Sequence, residues 1–402
     1  MTLSQHTPSP ARTQSPAHAP STPSGAASSQ ALRPDGAASP GGPDRDGGAP
    51  TAAGVTVVGP LDLESGERLE DVSLAWESWG TLDARGQNAV LVLHALTGDA
   101  HAHGAGADPG WWDALIGPGR AVDTTRFFVV AVNVLGGCAG STGPTSLNPR
   151  TGRPYAGAFP AVTLRDGVRA ERLLMERLGV ARWAAVLGGS LGGARALEWA
   201  VTFPGLVDAC AVIASTAASS AEQIGLGAVQ CDVIRADPDF RGGFYSRERP
   251  PVQGLSLARQ IAHVSYRSEA ELEARFSRCP QEGDGAEGFA IESYLRHQGA
   301  KLSRRFDANS YLRLTQALMG HDVGRGRGGV KAALARAAGV RFLVASVDTD
   351  RLYLPAQSER LARALGAPHV SISAPNGHDA FLTHAALLEG PVRGLLGTDS
   401  AM

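Results

Sequence analysis

Short, continuous apolar runs place the strongest constraint on the fold of this chain. The runs are rich in β-branched residues, and they are bounded by Gly, Asp or Pro. Strands that are covered on both faces have this pattern, which is typical of parallel sheets. Amphipathic helical patterns separate the runs, so the alternation predicts an α/β fold with a mostly parallel, doubly wound sheet. Strands are predicted within residues 89–96, 126–135, 183–189, 208–215 and 340–348.

The alternation of strands and helices breaks between residues 217 and 328, where the sequence is richer in charge and helical in pattern. We expect residues 217–328 to form a helical cap (lid) inserted into a core made of residues 55–216 and 329–398. The preceding residues 1–54 are mostly Pro, Ala, Gly and Ser. Such a segment buries too little apolar surface to offset the entropy lost on ordering, so it is predicted to be a disordered extension.

Charge and cysteine content exclude several classes of protein. A formal net charge of −2 argues against a nucleic-acid or anionic-membrane partner. No apolar run approaches the ~20 residues that a membrane span requires. The four cysteines show neither short pairing nor metal-ligand spacing, which indicates reduced thiols in a cytoplasmic protein without a metal site. These cysteines are Cys138, Cys210, Cys231 and Cys279.

A candidate nucleophile lies where one predicted strand turns into a helix. The segment 188–192, Gly-Gly-Ser-Leu-Gly, fits the pattern G-x-S-x-G. A sharp strand-to-helix turn would strain the backbone of Ser190 and lift its hydroxyl out of the sheet. The same turn places the amide of Leu191 at a helix N-terminus, where it can stabilise an oxyanion. A glycine-rich turn without chemistry is the alternative, because the pattern alone is common in a chain with 50 glycines.

A serine nucleophile needs a base and an orienting acid, which follow it in the order acid, then histidine in this fold class. His378 lies in an Asn-Gly-His loop after a predicted strand and is the candidate base. Asp348 and Asp350 compete as the acid, and we favour Asp350 because it lies further into its loop. The amide near Leu96, after another strand, is the candidate second oxyanion donor.

Other histidines have simpler explanations. His101 and His103 could form a metal pair, but no third ligand is placed near them, so we expect them to be loop residues. His263 and His321 fall in the predicted cap and are expected to be structural.

Several blocks of sequence resemble the homoserine O-acyltransferases of the α/β-hydrolase fold, a family that begins methionine synthesis from homoserine. The nucleophile segment "GGSLGGARALEW" is similar, as are "LHALTGDAHA", residues 110–149, residues 257–276 and "NGHDAFL". The block 110–149 is far more specific than G-x-S-x-G. The likeness extends from about residue 55 to 397.

The resemblance implies a ping-pong reaction in which Ser190 takes an acetyl group from acetyl-CoA and passes it to the hydroxyl of L-homoserine. Acetyl-CoA is then a co-substrate, and no cofactor is expected. The matching positions imply a triad of Ser190, Asp350 and His378, with the oxyanion hole at the Leu96 and Leu191 amides. They also imply a homodimer formed through the cap helices. Three further residues are implied to contact homoserine: Arg259, Tyr266 and Asp379.

The chemistry of homoserine is consistent with this assignment. A guanidinium such as Arg259 binds a carboxylate bidentately, and a carboxylate such as Asp379 can hold the ammonium. The γ-hydroxyl is then fixed near the base, so the second step becomes effectively intramolecular.

Some alternatives stay open at this point. Succinyl-CoA as donor, or serine as acceptor, is compatible with the same motifs, although the paired glycines of "LGGC" are closer to acetyl-type members. A carboxylesterase would not need the zwitterion contacts of Arg259 and Asp379, and a non-catalytic binding protein would not need an ordered triad. The chain departs from the family at Ala139, where a basic residue is frequent, and at Cys231, where arginine is usual.

Overall fold

A computed structural model describes residues 48–281 and 288–397 of the chain. Nearly all of the predicted N-terminal extension therefore lies outside the described residues. The predicted boundary at residue 54 is wrong by a few positions, because the first strand begins at Ala52 and pairs with the second strand through its first residues. The described residues belong to one compact unit.

The described strands include every continuous apolar run that was predicted, a strand before the His378 loop, two strands of two residues each, and an N-terminal hairpin. That hairpin was not predicted, since its first strand alternates between exposed and partly buried positions. In chain order the strands are β1 (Ala52–Asp62), β2 (Arg68–Trp79), β3 (Ala89–Leu93), β4 (Phe128–Val132), β5 (Leu147–Asn148), β6 (Arg153–Pro154), β7 (Trp183–Gly189), β8 (Ala209–Ile213), β9 (Arg341–Val347) and β10 (His369–Ile372).

Eight of these strands form one sheet in the order β1-β2-β4-β3-β7-β8-β9-β10, and β5 pairs with β6 alone. From β4 to β10 all neighbouring pairs in this order are parallel, whereas β2 is antiparallel to both of its neighbours, β1 and β4. The prediction of a mostly parallel sheet in an α/β fold is therefore confirmed. In such a sheet the carboxyl ends of the parallel strands meet at one edge, where binding sites form.

The α-helices lie on both faces of the sheet and between β8 and β9. In chain order the described helices are α1 (Leu164–Arg177), α2 (Leu191–Thr202), α3 (Ala221–Ala236), α4 (Val252–Tyr266), α5 (Glu269–Phe276), α6 (Ala290–Ser303), α7 (Ala308–Met319), α8 (Val330–Ala335), α9 (Pro355–Leu365), α10 (Ala380–Thr383) and α11 (Glu389–Leu396). None of the helices in this part of the chain is both long and apolar enough to span a bilayer.

Two apolar clusters cover the two faces of the sheet. Residues of α1, α2, α8 and α9 contribute to one cluster, and residues of α10, α11 and the segment 112–122 contribute to the other. A third cluster joins the core to α3, α4 and α7, and it includes the side chains of Leu96 and Leu191. The helical segment between β8 and β9 is therefore packed against the part of the sheet edge that carries the candidate nucleophile.

Candidate active site

The candidate nucleophile lies at a strained turn between β7 and α2. Ser190 has φ 58° and ψ −121°, angles that an L-residue adopts only where the surroundings enforce them. Its amide donates to the carbonyl of Ile213 on β8 (2.9 Å). The flanking glycines permit close packing, because a Cβ on Gly192 would overlap the carbonyl oxygen of Leu93, and one on Gly189 would overlap the ring of Phe381.

Ser190, His378 and Asp350 form one continuous hydrogen-bonded chain. The Ser190 hydroxyl donates to His378 Nε2 (2.8 Å), and His378 Nδ1 donates to Asp350 Oδ2 (2.7 Å). The other oxygen of Asp350 accepts from the amides of Leu352 (2.8 Å) and Tyr353 (2.9 Å). Because both of its oxygens accept hydrogen bonds, Asp350 is fixed in place and can hold the imidazole in one tautomer and orientation.

The competing acid candidate has a different position. Asp348 is exposed, and its side chain accepts from the amide of Ala374 (3.1 Å), so it ties its own loop to the end of β10. The acid that was preferred from the sequence, Asp350, is therefore the one that bonds to His378.

Aromatic rings enclose the imidazole of His378. Tyr353 stacks on it with ring centroids 5.2 Å apart, Phe381 meets it edge-on at 5.5 Å, and Tyr266 lies at 5.8 Å. Burial opposes the charged form, but the charge and hydrogen bond of Asp350, with a further contribution from Asp379, raise the pKa of His378 above its ordinary value. A base of this kind takes a proton from a serine hydroxyl more readily than an unassisted imidazole does.

Two backbone amides are candidates for stabilising an oxyanion. Leu191 is the first residue of α2, and the first intrahelical bond of that helix comes only from the amide of Ala194. Leu96 follows β3, whose last carbonyl packs against Gly192. Among the described residues, neither the Leu96 amide nor the Leu191 amide donates to a protein acceptor. Both N–H groups are thus available to a ligand.

His94, which had no assigned role in the sequence analysis, fixes the segment that carries Leu96. Its Nδ1 donates to the carbonyl of Ala95 (2.6 Å), and its Nε2 accepts from the amide of Val134 (3.0 Å). Burial, with the nearby charge of Arg195, lowers the pKa of His94 to about 3. The residue stays neutral and keeps this donor–acceptor pattern across the physiological range.

The three residues that the resemblance assigns to substrate lie around His378. Arg259 on α4 stands over the ring of Tyr266 with its guanidinium carbon 5.3 Å from the centroid. Asp379 follows His378, and burial raises its pKa against the opposing charges of Arg267, His378 and Arg259. A buried carboxylate and a guanidinium thus flank the base, as a zwitterionic substrate requires.

The sequence analysis missed Arg267, whose guanidinium pairs with Asp379 (3.3 Å). No local pattern indicates this pair, because the two residues are more than a hundred positions apart and meet only through tertiary packing.

A pocket opens beside the triad between α3, α4 and α7. Leu96, Tyr266 and Tyr353 line its triad side, and Gln230 and Met319 are among the residues on its far side. None of the residues that line it carries a formal charge at neutral pH. The pocket therefore suits a neutral, partly apolar group.

The histidines that were expected to be loop or structural residues bond to groups outside the triad. His101 Nδ1 bonds to Glu77 (2.9 Å) and His103 Nδ1 to Asp113 (2.8 Å), so the two histidines have different carboxylate partners. His263 Nε2 bonds to the hydroxyl of Tyr294 (2.8 Å).

The structure also locates the remaining residues of interest. His321 Nε2 bonds to the carbonyl of Thr216 (2.9 Å). Ala139 is exposed, and Cys231 lies in the third apolar cluster, where burial raises its pKa to about 11. Within the described part of the chain, no group of three His, Cys, Asp or Glu residues is arranged to hold a metal, and all four cysteines are free thiols.

Comparison with known proteins identifies relatives that match most of the chain. A family profile described as the alpha/beta hydrolase fold matches residues 88–385. A homoserine O-acetyltransferase of Thermobifida fusca is 54% identical over 335 residues, covering 81% of this chain and 88% of that protein. A homoserine O-succinyltransferase of Bordetella petrii is 47% identical over 355 residues, covering 83% of each.

Solved structures show the same architecture. A homoserine O-acetyltransferase from Bacillus anthracis has a TM-score of 0.81 and 28% identity, covering 86% of this chain and 97% of that one. Esterase E22 has a TM-score of 0.80 and 28% identity, covering 86% of this chain and 99% of that one. The residues that the family profile matches, 88–385, include Ser190, Asp350 and His378.

Proposed function

Because the chain belongs to the α/β hydrolase fold family and, within it, to the homoserine O-acyltransferases, we propose that it transfers an acetyl group from acetyl-CoA to the hydroxyl of L-homoserine. The observation that carries the proposal is the hydrogen-bonded chain from Ser190 through His378 to Asp350, with Arg259 and Asp379 beside the base. An acyl transferase with a zwitterionic acceptor needs both the activated serine and charged groups that bind the acceptor.

In the first half-reaction Ser190 Oγ attacks the thioester carbonyl while His378 Nε2 takes its proton. The amides of Leu96 and Leu191 hold the oxyanion of the tetrahedral intermediate, and Asp350 stabilises the imidazolium. When the intermediate collapses, the C–S bond breaks and the thiol of CoA leaves with the proton from His378. Ser190 then carries an acetyl ester.

In the second half-reaction the γ-hydroxyl of homoserine gives its proton to His378 and attacks the acetyl ester. The Ser190 oxygen leaves and recovers the proton, and O-acetylhomoserine is released. Arg259 binds the homoserine carboxylate and Asp379 binds its ammonium, so the hydroxyl is held next to the ester carbonyl. Such positioning gives the substrate hydroxyl a high effective concentration at the ester, so it reacts in preference to water.

The uncharged lining of the pocket beside Leu96, Tyr266 and Tyr353 supports acetyl as the acyl group. A succinyl group carries a free carboxylate in addition to that of homoserine, and this carboxylate needs a cationic partner to offset its desolvation. The relative named homoserine O-succinyltransferase makes succinyl-CoA the second candidate donor. Serine as acceptor and hydrolysis by water are the remaining alternatives.

The test combines two donors with two acceptors. Purified protein is incubated with acetyl-CoA or succinyl-CoA, each with homoserine, with serine or with neither, and thiol release and ester product are both measured. We expect acetyl-CoA with homoserine to give the highest rate, and thiol release without acceptor to stop after one equivalent. Continued thiol release without an acceptor would indicate a hydrolase, and a higher rate with succinyl-CoA would reverse the donor assignment.

A homodimer formed through the helical segment is part of the proposal. The described residues expose several large apolar side chains on α3 and α4, and such surface favours association. They are Ile224, Val229, Leu257 and Val264. Sedimentation of the purified protein, compared with that of a Leu257→Lys variant, tests this: we expect a dimer and a monomer, respectively.

We further propose a cytoplasmic location and a reaction that uses acetyl-CoA as co-substrate without a bound cofactor.

A further inference from the structure

The loop that carries the catalytic histidine is held by the junction between α4 and α5. The hydroxyl of Ser268 donates to the carbonyl of Pro375, and the side-chain amide of Asn376 donates to Glu271 (3.4 Å). Gly377, at φ +67°, packs so closely on the junction that a Cβ there would lie 2.6 Å from the amide nitrogen of Ser268. The helical segment therefore positions the base as well as contributing Arg259.

Arg267 is the charged residue of this junction. One guanidinium nitrogen pairs with Asp379 (3.3 Å), and another pairs with Glu271 (3.2 Å). All three side chains are largely buried, with exposed fractions of 13% for Arg267, 17% for Asp379 and 8% for Glu271. A buried ion pair of this kind orients its members strongly, because either charge would be costly without the other.

We propose that Arg267 is a positioning residue for the second half-reaction: it holds the Asp379 carboxylate ionised and oriented for the ammonium of the acceptor, while Glu271 holds Arg267. The role of Asp379 in this statement rests on the proposed function. Arg267 would touch neither substrate nor the reacting atoms.

The charges around Asp379 explain why such a residue is needed. Asp379 faces Arg267 at the junction, Arg259 on α4, His378 on its own loop and Glu271 on α5. Burial raises the pKa of Asp379 and the three cationic groups oppose that rise, with Arg267 the strongest of them. Without Arg267 the pKa of Asp379 would rise further, and the neutral carboxyl would be a poor ammonium ligand.

Glu271 completes the arrangement. An isolated guanidinium beside Asp379 would repel the incoming ammonium, but the Glu271 carboxylate offsets the charge of Arg267. The group of Arg267, Glu271 and Asp379 keeps a net negative charge, which suits an ammonium.

The two half-reactions separate this role from a purely structural one. Acetyl-CoA brings no ammonium to Asp379, so acylation of Ser190 should not depend on Arg267. Acceptor binding should depend on it. Because His378 must be neutral in both half-reactions and its pKa is raised, the effect of Arg267 is expected in the KM for homoserine rather than in the acidic limb of the pH profile.

The test uses Arg267→Gln, Arg267→Lys and, as a matched control, Arg275→Gln. Arg275 also pairs with Glu271 (2.9 Å) but is not paired with Asp379, and it is 43% exposed. Acyl-enzyme formation is followed in a single turnover with acetyl-CoA alone, and kcat and KM for homoserine are measured separately.

For Arg267→Gln we expect acylation within about threefold of wild type, which also reports an intact triad. The kcat/KM for homoserine should fall about 10- to 100-fold, the range for one charge-assisted hydrogen bond, chiefly through a higher KM. Arg267→Lys keeps the charge and should show a smaller loss, and Arg275→Gln should match wild type in both measurements.

Equal slowing of both half-reactions in Arg267→Gln, or the same losses in Arg275→Gln, would overturn this role. Wild-type protein that becomes acetylated but does not accept homoserine would instead overturn the proposed function. The two failures are therefore distinguished by the wild-type measurement.

Discussion

Ser190 and His378 meet in one hydrogen bond, but the turns that carry them are held in different ways. The serine turn is fixed by residues adjacent in sequence and by neighbouring parallel strands, since its amide bonds to β8 and its glycines pack on β3 and on Phe381. The histidine loop is fixed largely by the α4–α5 junction, through Ser268 and the close packing of Gly377. The serine turn is thus built into the sheet and indicated by its adjacent glycines, whereas the base depends on packing against the helical segment.

This difference assigns the two half-reactions to different parts of the molecule. The sheet core provides the nucleophile, the candidate oxyanion amides and the acid. The helical segment provides Arg259 and the groups that hold the histidine loop. Changes in the core, or in the contacts that hold the histidine loop, should therefore impair both half-reactions, while changes at Arg259 and Arg267 should mainly impair transfer to the acceptor.

The largest effect is expected from the acid of the triad. Asp350→Asn leaves the shape of the site intact but removes the charge that stabilises the imidazolium and its tautomer, so kcat should fall about 10³- to 10⁴-fold in both half-reactions. Asp348→Asn is the matched control, because Asp348 accepts only from the amide of Ala374 among the described residues. Steady-state rates should separate the two variants, and similar losses in both would contradict the assignment of Asp350.

A stability measurement tests the local nature of the serine turn. Gly192→Ala would force a Cβ into the carbonyl of Leu93, a backbone atom that cannot move aside, so we expect a loss of about 3 kcal/mol or more in the free energy of unfolding. Gly225→Ala in α3 is the control, since a Cβ there meets no atom within 4 Å. It should be neutral or stabilising by up to about 1 kcal/mol. Denaturant unfolding of both variants gives the comparison, and equal stabilities would show that the turn is not tightly packed.

These expectations follow the division between local and distant information in the sequence. The apolar runs of β3, β4, β7, β8 and β9 were predictable because strands buried on both faces need no partner to be identified. The serine turn was predictable because its glycines are adjacent to it. The hairpin of β1 and β2 was missed, since alternating exposure is a weaker pattern than a continuous run.

The histidine loop shows where prediction from sequence ends. His378 and Asp350 could be proposed from their order and from loop composition, but the partners that hold them could not. Arg267, Tyr353 and His94 act through contacts with residues that are distant in sequence or through burial, and neither leaves a local pattern. The resemblance gave Arg259, Tyr266 and Asp379, but it did not indicate that Asp379 is already paired.

A smaller effect is expected at the substrate carboxylate. Arg259→Ala removes a charged contact to homoserine, so kcat/KM for homoserine should fall about 10- to 100-fold. Acylation by acetyl-CoA should stay within a few-fold, which would place this residue with the acceptor half-reaction. Stopped-flow thiol release and steady-state transfer give the two values, and a parallel loss in both would contradict the division between core and helical segment.

The smallest effect is expected from the hydroxyl that connects α5 to the histidine loop. Ser268 caps α5 by accepting from the amide of Glu271 (3.0 Å) and also donates to Pro375, so Ser268→Ala should cost about 1 to 2 kcal/mol of stability. Ser220→Ala removes a cap from α3, where Ser220 accepts from Gln223 (3.3 Å), without touching the loop. Both should lower the melting temperature, but only Ser268→Ala should also slow both half-reactions, by several-fold. Unchanged rates in Ser268→Ala would show that the junction does not position the base.

The central claim is that the hydroxyl of Ser190 carries the acyl group between donor and acceptor. Intact-protein mass spectrometry after rapid mixing with acetyl-CoA alone, followed by peptide mapping, tests it directly. The account predicts one acetyl group on Ser190, which disappears when homoserine is added and does not form in Ser190→Ala. Product formation without any acetylated Ser190, or transfer by Ser190→Ala near the wild-type rate, would contradict it.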